Sequence, residues 1–77
     1  HLQRFVVINY AKEIVLLAVI KHDGKEEVVG IGQYNIDERT YAAEVALAVR
    51  DDYQNRGIGT ELLSYLTYLA KRQGLQG

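Results

Sequence analysis

Three apolar stretches along the chain predict β-strands. Residues 14–20 form a continuous run of leucine and β-branched residues, which is typical of a strand covered on both faces. Asp23 and Gly24 then indicate a tight hairpin turn, after which residues 28–36 resume the extended pattern. Gly30 and Gly32 share one face of this second strand. They predict a bulge or the close approach of another backbone or a ligand.

The third predicted strand, residues 41–49, follows a second hairpin turn at residues 37–40 and has two unlike faces. One face is bulky and suggests core. The other carries three alanines around the carboxylate of Glu44, and such small side chains suggest that another group packs against this face. A solvated face would explain Glu44 but not the alanines. The bulky face consists of Tyr41, Ala43, Val45, Leu47 and Val49.

Beyond residue 53 the apolar period changes from 2 to 3.6, which predicts an amphipathic helix. Glu61 lies in its first turn and Lys71 in its last, where each charge complements the helix dipole, and Gly74 marks its predicted end. The sequence therefore predicts an α+β fold, with three antiparallel strands followed by a helix that packs on them. The predicted apolar stripe consists of Leu62, Leu63, Leu66, Leu69 and Ala70.

A shorter apolar segment, residues 4–8, precedes these elements. Residues 9–13 interrupt it with polar side chains and indicate a turn or a short helical end. We do not count this segment among the predicted strands.

Composition excludes several classes of function. A net charge of −1 gives no electrostatic reason to expect nucleic acid or an anionic membrane as partner. No apolar run approaches the roughly 20 residues of a membrane span. The chain has no cysteine, which fits a cytoplasmic protein, and His1 and His22 lack a second imidazole at metal-ligand spacing. It has no methionine either, which indicates a fragment of a longer protein.

Candidate chemistry is concentrated where the third strand leads into the helix, at residues 54–60. Gly57 and Gly59 let the backbone turn tightly and bring successive N–H groups towards a ligand. The helix start adds unpaired N–H groups, Arg56 adds a cation, and Thr60 adds a hydroxyl. This pattern predicts a phosphate or pyrophosphate site. The alternative is a glycine-rich helix start with no ligand.

The order of these features resembles the GNAT superfamily of N-acetyltransferases. Its central motif is an apolar strand, a short acidic turn, Gln/Arg-x-x-Gly-x-Gly/Ala and a leucine-rich helix, which residues 43–59 reproduce. Within the superfamily, residues 9–18 and 49–54 look most like the acetyltransferase domain of protein lysine acetyltransferases linked to ADP-forming acyl-CoA synthetase-like chains.

The resemblance implies an acetyl-CoA-dependent N-acetyltransferase that needs no metal, with a protein lysine as the expected acceptor. Glu44 occupies the place of the general base, with an ordinary strand residue as the alternative. The pantetheine arm of coenzyme A is expected on Leu47, Ala48 and Val49. The pyrophosphate is expected on Asn55, Arg56, Gly57, Ile58, Gly59 and Thr60.

The family's domain begins earlier and continues beyond Gly77, so residues 1–77 are predicted to be its central part without the flanking strands and helices. Activity then belongs to the parent protein. If residues 1–77 are all that is present, we expect this piece to self-associate through the unpaired edge of residues 41–49 or through the helix face formed by residues 62–69. A protein N-terminus and a small amine are also compatible acceptors. A non-catalytic acyl-CoA-binding regulatory module and a simple interaction domain remain alternative functions.

Overall fold

The computed structural model describes residues 4–40 and 42–72. These residues form one antiparallel sheet of four strands in sequence order, followed by a short 3₁₀ turn and a helix, which confirms the α+β class. The strands are β1 (Arg4–Asn9), β2 (Glu13–His22), β3 (Lys25–Asp37) and β4 (Ala42–Val49). The 3₁₀ turn spans Asp51–Tyr53 and the helix, α1, spans Ile58–Arg72.

The prediction of three strands is wrong in number, because the apolar segment at residues 4–8 forms the edge strand β1. β1 pairs with β2 along its whole length, and the backbone N–H of Tyr10 donates to the carbonyl of Glu13 across 2.8 Å in the connecting turn. Arg4 adds two side-chain hydrogen bonds to Glu26, at 2.8 and 2.9 Å. A segment this short forms a strand only because it pairs with β2. The pattern of apolar residues within the segment does not reveal that pairing.

Both predicted hairpin turns are confirmed. Asp23 and Gly24 have φ values of 51° and 78°, the left-handed conformation that a two-residue hairpin turn requires. Between β3 and β4, the carboxylate of Asp37 accepts a hydrogen bond from the backbone N–H of Arg39 at 2.9 Å. Tyr41, predicted to belong to the third strand, lies outside the described residues.

Helix α1 packs on one face of the sheet, over β2, β3 and β4. The two glycines of β3 make this approach possible. A Cβ on Gly30 would lie 3.1 Å from Leu62 Cδ1, and one on Gly32 would lie 2.8 Å from Leu66 Cδ1. The group that approaches these glycines is therefore not the predicted backbone or ligand but the side chains of the helix. The predicted bulge is present as a register shift between Ala18 and Val19.

No described element lies over the other face of the sheet, so coverage of residues 14–20 on both faces stays a prediction. Leu16 is buried beneath α1, whereas Val15 and Leu17 on the opposite face are only half-buried. A continuous apolar run does not distinguish a strand covered on both faces from one that leaves an apolar face open.

The bulky face of β4 points towards α1, as predicted, because Leu47 lies opposite Gly32 in the pairing register. Val45 and Leu47 nevertheless remain 50% and 40% exposed, since β4 is the last strand of the described sheet. Leu63 is also exposed, so its assignment to the apolar stripe is wrong. The helix ends at Arg72, and the predicted stop at Gly74 lies outside the described residues.

No helix among the described residues is long and apolar enough to cross a membrane. The cytoplasmic location stays a prediction.

Candidate functional site

A cavity of about 380 Å³ lies where the end of β4 meets the start of α1. The last residues of β4 form one wall, and the segment that leads into the helix forms the other. The residues lining it are Leu47, Ala48, Val49, Tyr53, Gln54, Asn55, Gly57, Gly59 and Thr60.

The loop before α1 is shaped by two residues in the left-handed conformation, Asn55 at φ 63° and Gly57 at φ 82°. A Cβ on Gly57 would meet no atom within 4 Å, and one on Gly59 would meet only Val49 Cγ2 at 3.8 Å. Glycine at position 57 is therefore required by the backbone turn. The space in front of both glycines is open to a ligand.

Helix α1 directs its positive end to this cavity. The backbone N–H of Glu61 donates to the carbonyl of Gly57 at 3.0 Å, which is the first hydrogen bond of the helix. The N–H groups of the residues between them, including cavity residues Gly59 and Thr60, therefore have no acceptor within the helix. Unpaired N–H groups at a helix start attract anions, so this wall is suited to a phosphate.

Gln54 joins the two walls of the cavity. Its side-chain amide donates to the carbonyl oxygen of Val49 at 3.3 Å and to a carboxylate oxygen of Asp51 at 3.2 Å. Sequence reasoning assigned no role to Gln54 or to Tyr53, although both line the cavity. Their position directly before the glycine loop could have indicated that they line the site.

Charged side chains brace the 3₁₀ turn. Arg50 donates two hydrogen bonds to Asp52, at 2.6 and 3.1 Å, and lies 3.7 Å from a carboxylate oxygen of Glu27. The hydrogen bonds from Arg50 hold the pKa of Asp52 below its usual value. Asp52 is thus part of an ion pair, and residues 4–40 and 42–72 contain no group of three or more acidic, histidine or cysteine side chains that could hold a metal ion.

Two residues expected at the pyrophosphate do not line the cavity, Arg56 and Ile58. Ile58 is 5% exposed and packs in the core, where a Cβ on Gly30 would lie 3.3 Å from its Cγ2. Only its backbone is available to a ligand. Arg56 lies beside the cavity, with its guanidinium carbon 5.1 Å from the ring centroid of Tyr53.

Glu44 is exposed on the face of β4 that points away from α1, opposite Asn35 of β3. It shares that face with Ala46 and Ala48 and does not line the cavity. Glu44 is three positions before Leu47 in the sequence, which is about 10 Å along a strand. The structure thus keeps Glu44 near the β4 end of the site and away from its phosphate end.

Comparison with known proteins identifies the family of the chain. The sequence model of the Acetyltransferase (GNAT) family matches residues 3–77. A protein of Pseudomonas aeruginosa named Acetyltransferase PA5475 is 29% identical over 75 residues, and the match covers 97% of this chain and 40% of that protein. The chain thus spans less than half the length of this relative, and no solved structure matches it. Because the family match extends over nearly the whole sequence, the chain belongs to the Acetyltransferase (GNAT) family.

Proposed function

We propose that the full-length protein transfers an acetyl group from acetyl-CoA to an amine, and that this chain binds the coenzyme A part of that substrate. The observation that carries the proposal is the cavity between the end of β4 and the start of α1. Family membership supports the same activity.

The cavity walls fit two consecutive groups of coenzyme A. The pyrophosphate fits the wall that offers unpaired helix N–H groups and open space at Gly57 and Gly59. The pantetheine arm carries amides, which suit the edge of a strand. β4 pairs only with β3 among the described residues, so its other edge is available for such hydrogen bonds at Leu47, Ala48 and Val49.

The reaction requires an amine with a free electron pair. A lysine amine is almost wholly protonated at neutral pH, so a base must take one proton before attack. The nitrogen then forms a bond to the thioester carbonyl carbon, the carbon–sulfur bond breaks, and the sulfur leaves and takes up a proton. Glu44 is the proposed base, directly or through water, because it is the one carboxylate on β4.

A protein lysine is the proposed acceptor. Support comes from residues 9–18 and 49–54, which resemble the lysine acetyltransferase subgroup. A non-catalytic acyl-CoA-binding module is the second candidate, because Glu44 lies outside the cavity that fits the coenzyme. The two candidates differ in turnover and share the binding of coenzyme A.

Coenzyme A binding is tested by Gly57→Glu in the full-length protein, measured by isothermal titration calorimetry. The new carboxylate would stand where the pyrophosphate fits, and we expect affinity to fall about 100-fold or more. Gly24→Glu is a matched control, because Gly24 also has a positive φ and open space around it, in the distant β2–β3 turn. Unchanged affinity in Gly57→Glu would contradict the proposed site.

A further inference from the structure

Arg56 is a cation beside the cavity that makes no salt bridge to a described carboxylate, although its charge helps to lower the pKa of nearby Asp52. Arg50, its neighbour around the Tyr53 ring, is neutralised by Asp52 and Glu27. Within residues 4–40 and 42–72, Arg56 forms no ion pair and no side-chain hydrogen bond. Its charge is therefore available to an anion.

Arg56 stands outside the wall that fits the pyrophosphate. Its sequence neighbours Asn55 and Gly57 line the cavity, and so does Tyr53, over whose ring the guanidinium lies. A cation over an aromatic ring is held in place by the ring quadrupole. The guanidinium is thus positioned beside the cavity, and the backbone N–H groups of the loop supply the donors inside it.

Coenzyme A carries a third phosphate next to its pyrophosphate, on the 3′-oxygen of the ribose. With the arm along β4 and the pyrophosphate at the loop, the ribose comes next along the molecule, beyond the pyrophosphate. Arg56 belongs to that loop, and its guanidinium lies beside the cavity and not on its lining, so it is available to a phosphate next to the pyrophosphate. A phosphate monoester is a strong acceptor, which a guanidinium binds through two parallel hydrogen bonds.

We propose that Arg56 binds the 3′-phosphate of coenzyme A and makes the protein select coenzyme A over dephospho-coenzyme A. This inference rests on the proposed function, and it assigns to Arg56 a phosphate other than the pyrophosphate expected from the sequence. Tyr53 acts as the positioning residue, because its ring carries the guanidinium.

The test compares coenzyme A with dephospho-coenzyme A, which lacks only the 3′-phosphate, by calorimetry on the full-length protein. We expect the unaltered protein to prefer coenzyme A about tenfold or more, the usual effect of a hydrogen bond to a charged group. Arg56→Gln should weaken coenzyme A binding by the same factor and leave dephospho-coenzyme A binding unchanged. Arg39→Gln, an exposed arginine in the β3–β4 turn, is the control and should change neither.

The outcomes separate this inference from the function on which it rests. Equal weakening of both ligands by Arg56→Gln would place Arg56 at the pyrophosphate and overturn the inference alone. So would equal affinity of the unaltered protein for the two ligands. If the unaltered protein bound neither ligand, the proposed function would fail together with the inference. Arg56→Lys, which keeps the charge but not the paired donors, should retain part of the preference.

Discussion

The side-chain amide of Gln54 donates to the carbonyl oxygen of Val49 across 3.3 Å and so joins the glycine loop to the last residue of β4. Both residues line the cavity, one on each wall. The second hydrogen bond of the amide, to Asp51, fixes the same side chain to the 3₁₀ turn. One exposed glutamine therefore links the end of β4, the 3₁₀ turn and the glycine loop.

Gln54→Met keeps the length of the side chain and removes both of its hydrogen bonds. We expect coenzyme A affinity to fall about tenfold, because each lost hydrogen bond is worth about 1 kcal/mol and the loop is no longer held against β4. Calorimetry gives the affinity. Thermal unfolding should shift little because Gln54 is exposed, and a large loss of stability with unchanged affinity would show that the glutamine serves only the fold.

Gly32→Ala should destabilise the fold by about 1–3 kcal/mol, because the new Cβ would lie 2.8 Å from Leu66 and 2.9 Å from Leu47. Leu47 is half-exposed and can move, but Leu66 is fully buried between its helix and the sheet. Gly59→Ala is the matched control, since its Cβ would meet only Val49 at an ordinary 3.8 Å and alanine favours a helix. Chemical denaturation measures the free energy of unfolding of both variants. Equal stabilities of the two variants would contradict the packing role of Gly32.

The sequence predicted the elements whose cause is local. Asp23-Gly24 contains the residues that a tight hairpin needs, and both adopt the expected positive φ. The alternation along β4 correctly assigned Leu47 to the helix face, because period 2 follows from strand geometry alone. The glycine turn and the helix start are likewise contiguous in sequence and adjacent in the structure, and the anion site that they suggest stays a prediction.

What the sequence did not predict depends on partners far along the chain. Gly30 and Gly32 look like ligand contacts until the helix side chains are seen above them. Arg56 is one residue from Gly57, yet it lies off the cavity wall because Tyr53 holds its guanidinium. Side-chain direction in a loop is set by tertiary contacts, which motif spacing does not specify.

Glu44→Gln tests the proposed base. If Glu44 accepts the amine proton, turnover should fall about 10²–10⁴-fold while affinity for acetyl-CoA stays the same, because Glu44 lies outside the cavity. Glu13→Gln is the matched control. Asn35 of β3 pairs with Glu44 of β4 on one side and with Glu13 of β2 on the other. Glu13 therefore lies on the same face of the sheet as Glu44, two strands away.

Steady-state kinetics with acetyl-CoA and an amine acceptor distinguish the outcomes. Unchanged turnover in Glu44→Gln would make Glu44 an ordinary strand residue, and a loss in Glu13→Gln alone would move the base to β2. An unaltered protein that binds acetyl-CoA but transfers no acetyl group to protein, peptide or small amines would favour the non-catalytic module.

Tyr34→Phe should leave stability unchanged or raise it by up to about 1 kcal/mol, because the fully buried hydroxyl has no hydrogen-bond partner among the described residues. Burial also raises the pKa of Tyr34 above its ordinary 10.0. Ionisation of Tyr34 therefore has no effect on stability below pH 10. As pH rises from 10 through the folded-state pKa, the free energy of unfolding falls, because the unfolded chain loses this proton first. The variant should resist alkaline unfolding better, as measured by circular dichroism. A loss above 1 kcal/mol would indicate a partner elsewhere in the protein.

A peptide comprising residues 1–77 should associate through the edge of β4 that pairs with no other described strand. Val45 and Leu47 are 50% and 40% exposed there, and an open apolar edge is a template for another strand. Sedimentation velocity at micromolar concentration should show dimers or larger species, and Val45→Lys should reduce them because edge lysines block pairing. Val28→Lys changes an equally exposed valine on the inner strand β3 and should leave association intact. A stable folded monomer of the unaltered peptide would contradict the edge argument and show that this sheet and one helix bury enough apolar surface on their own.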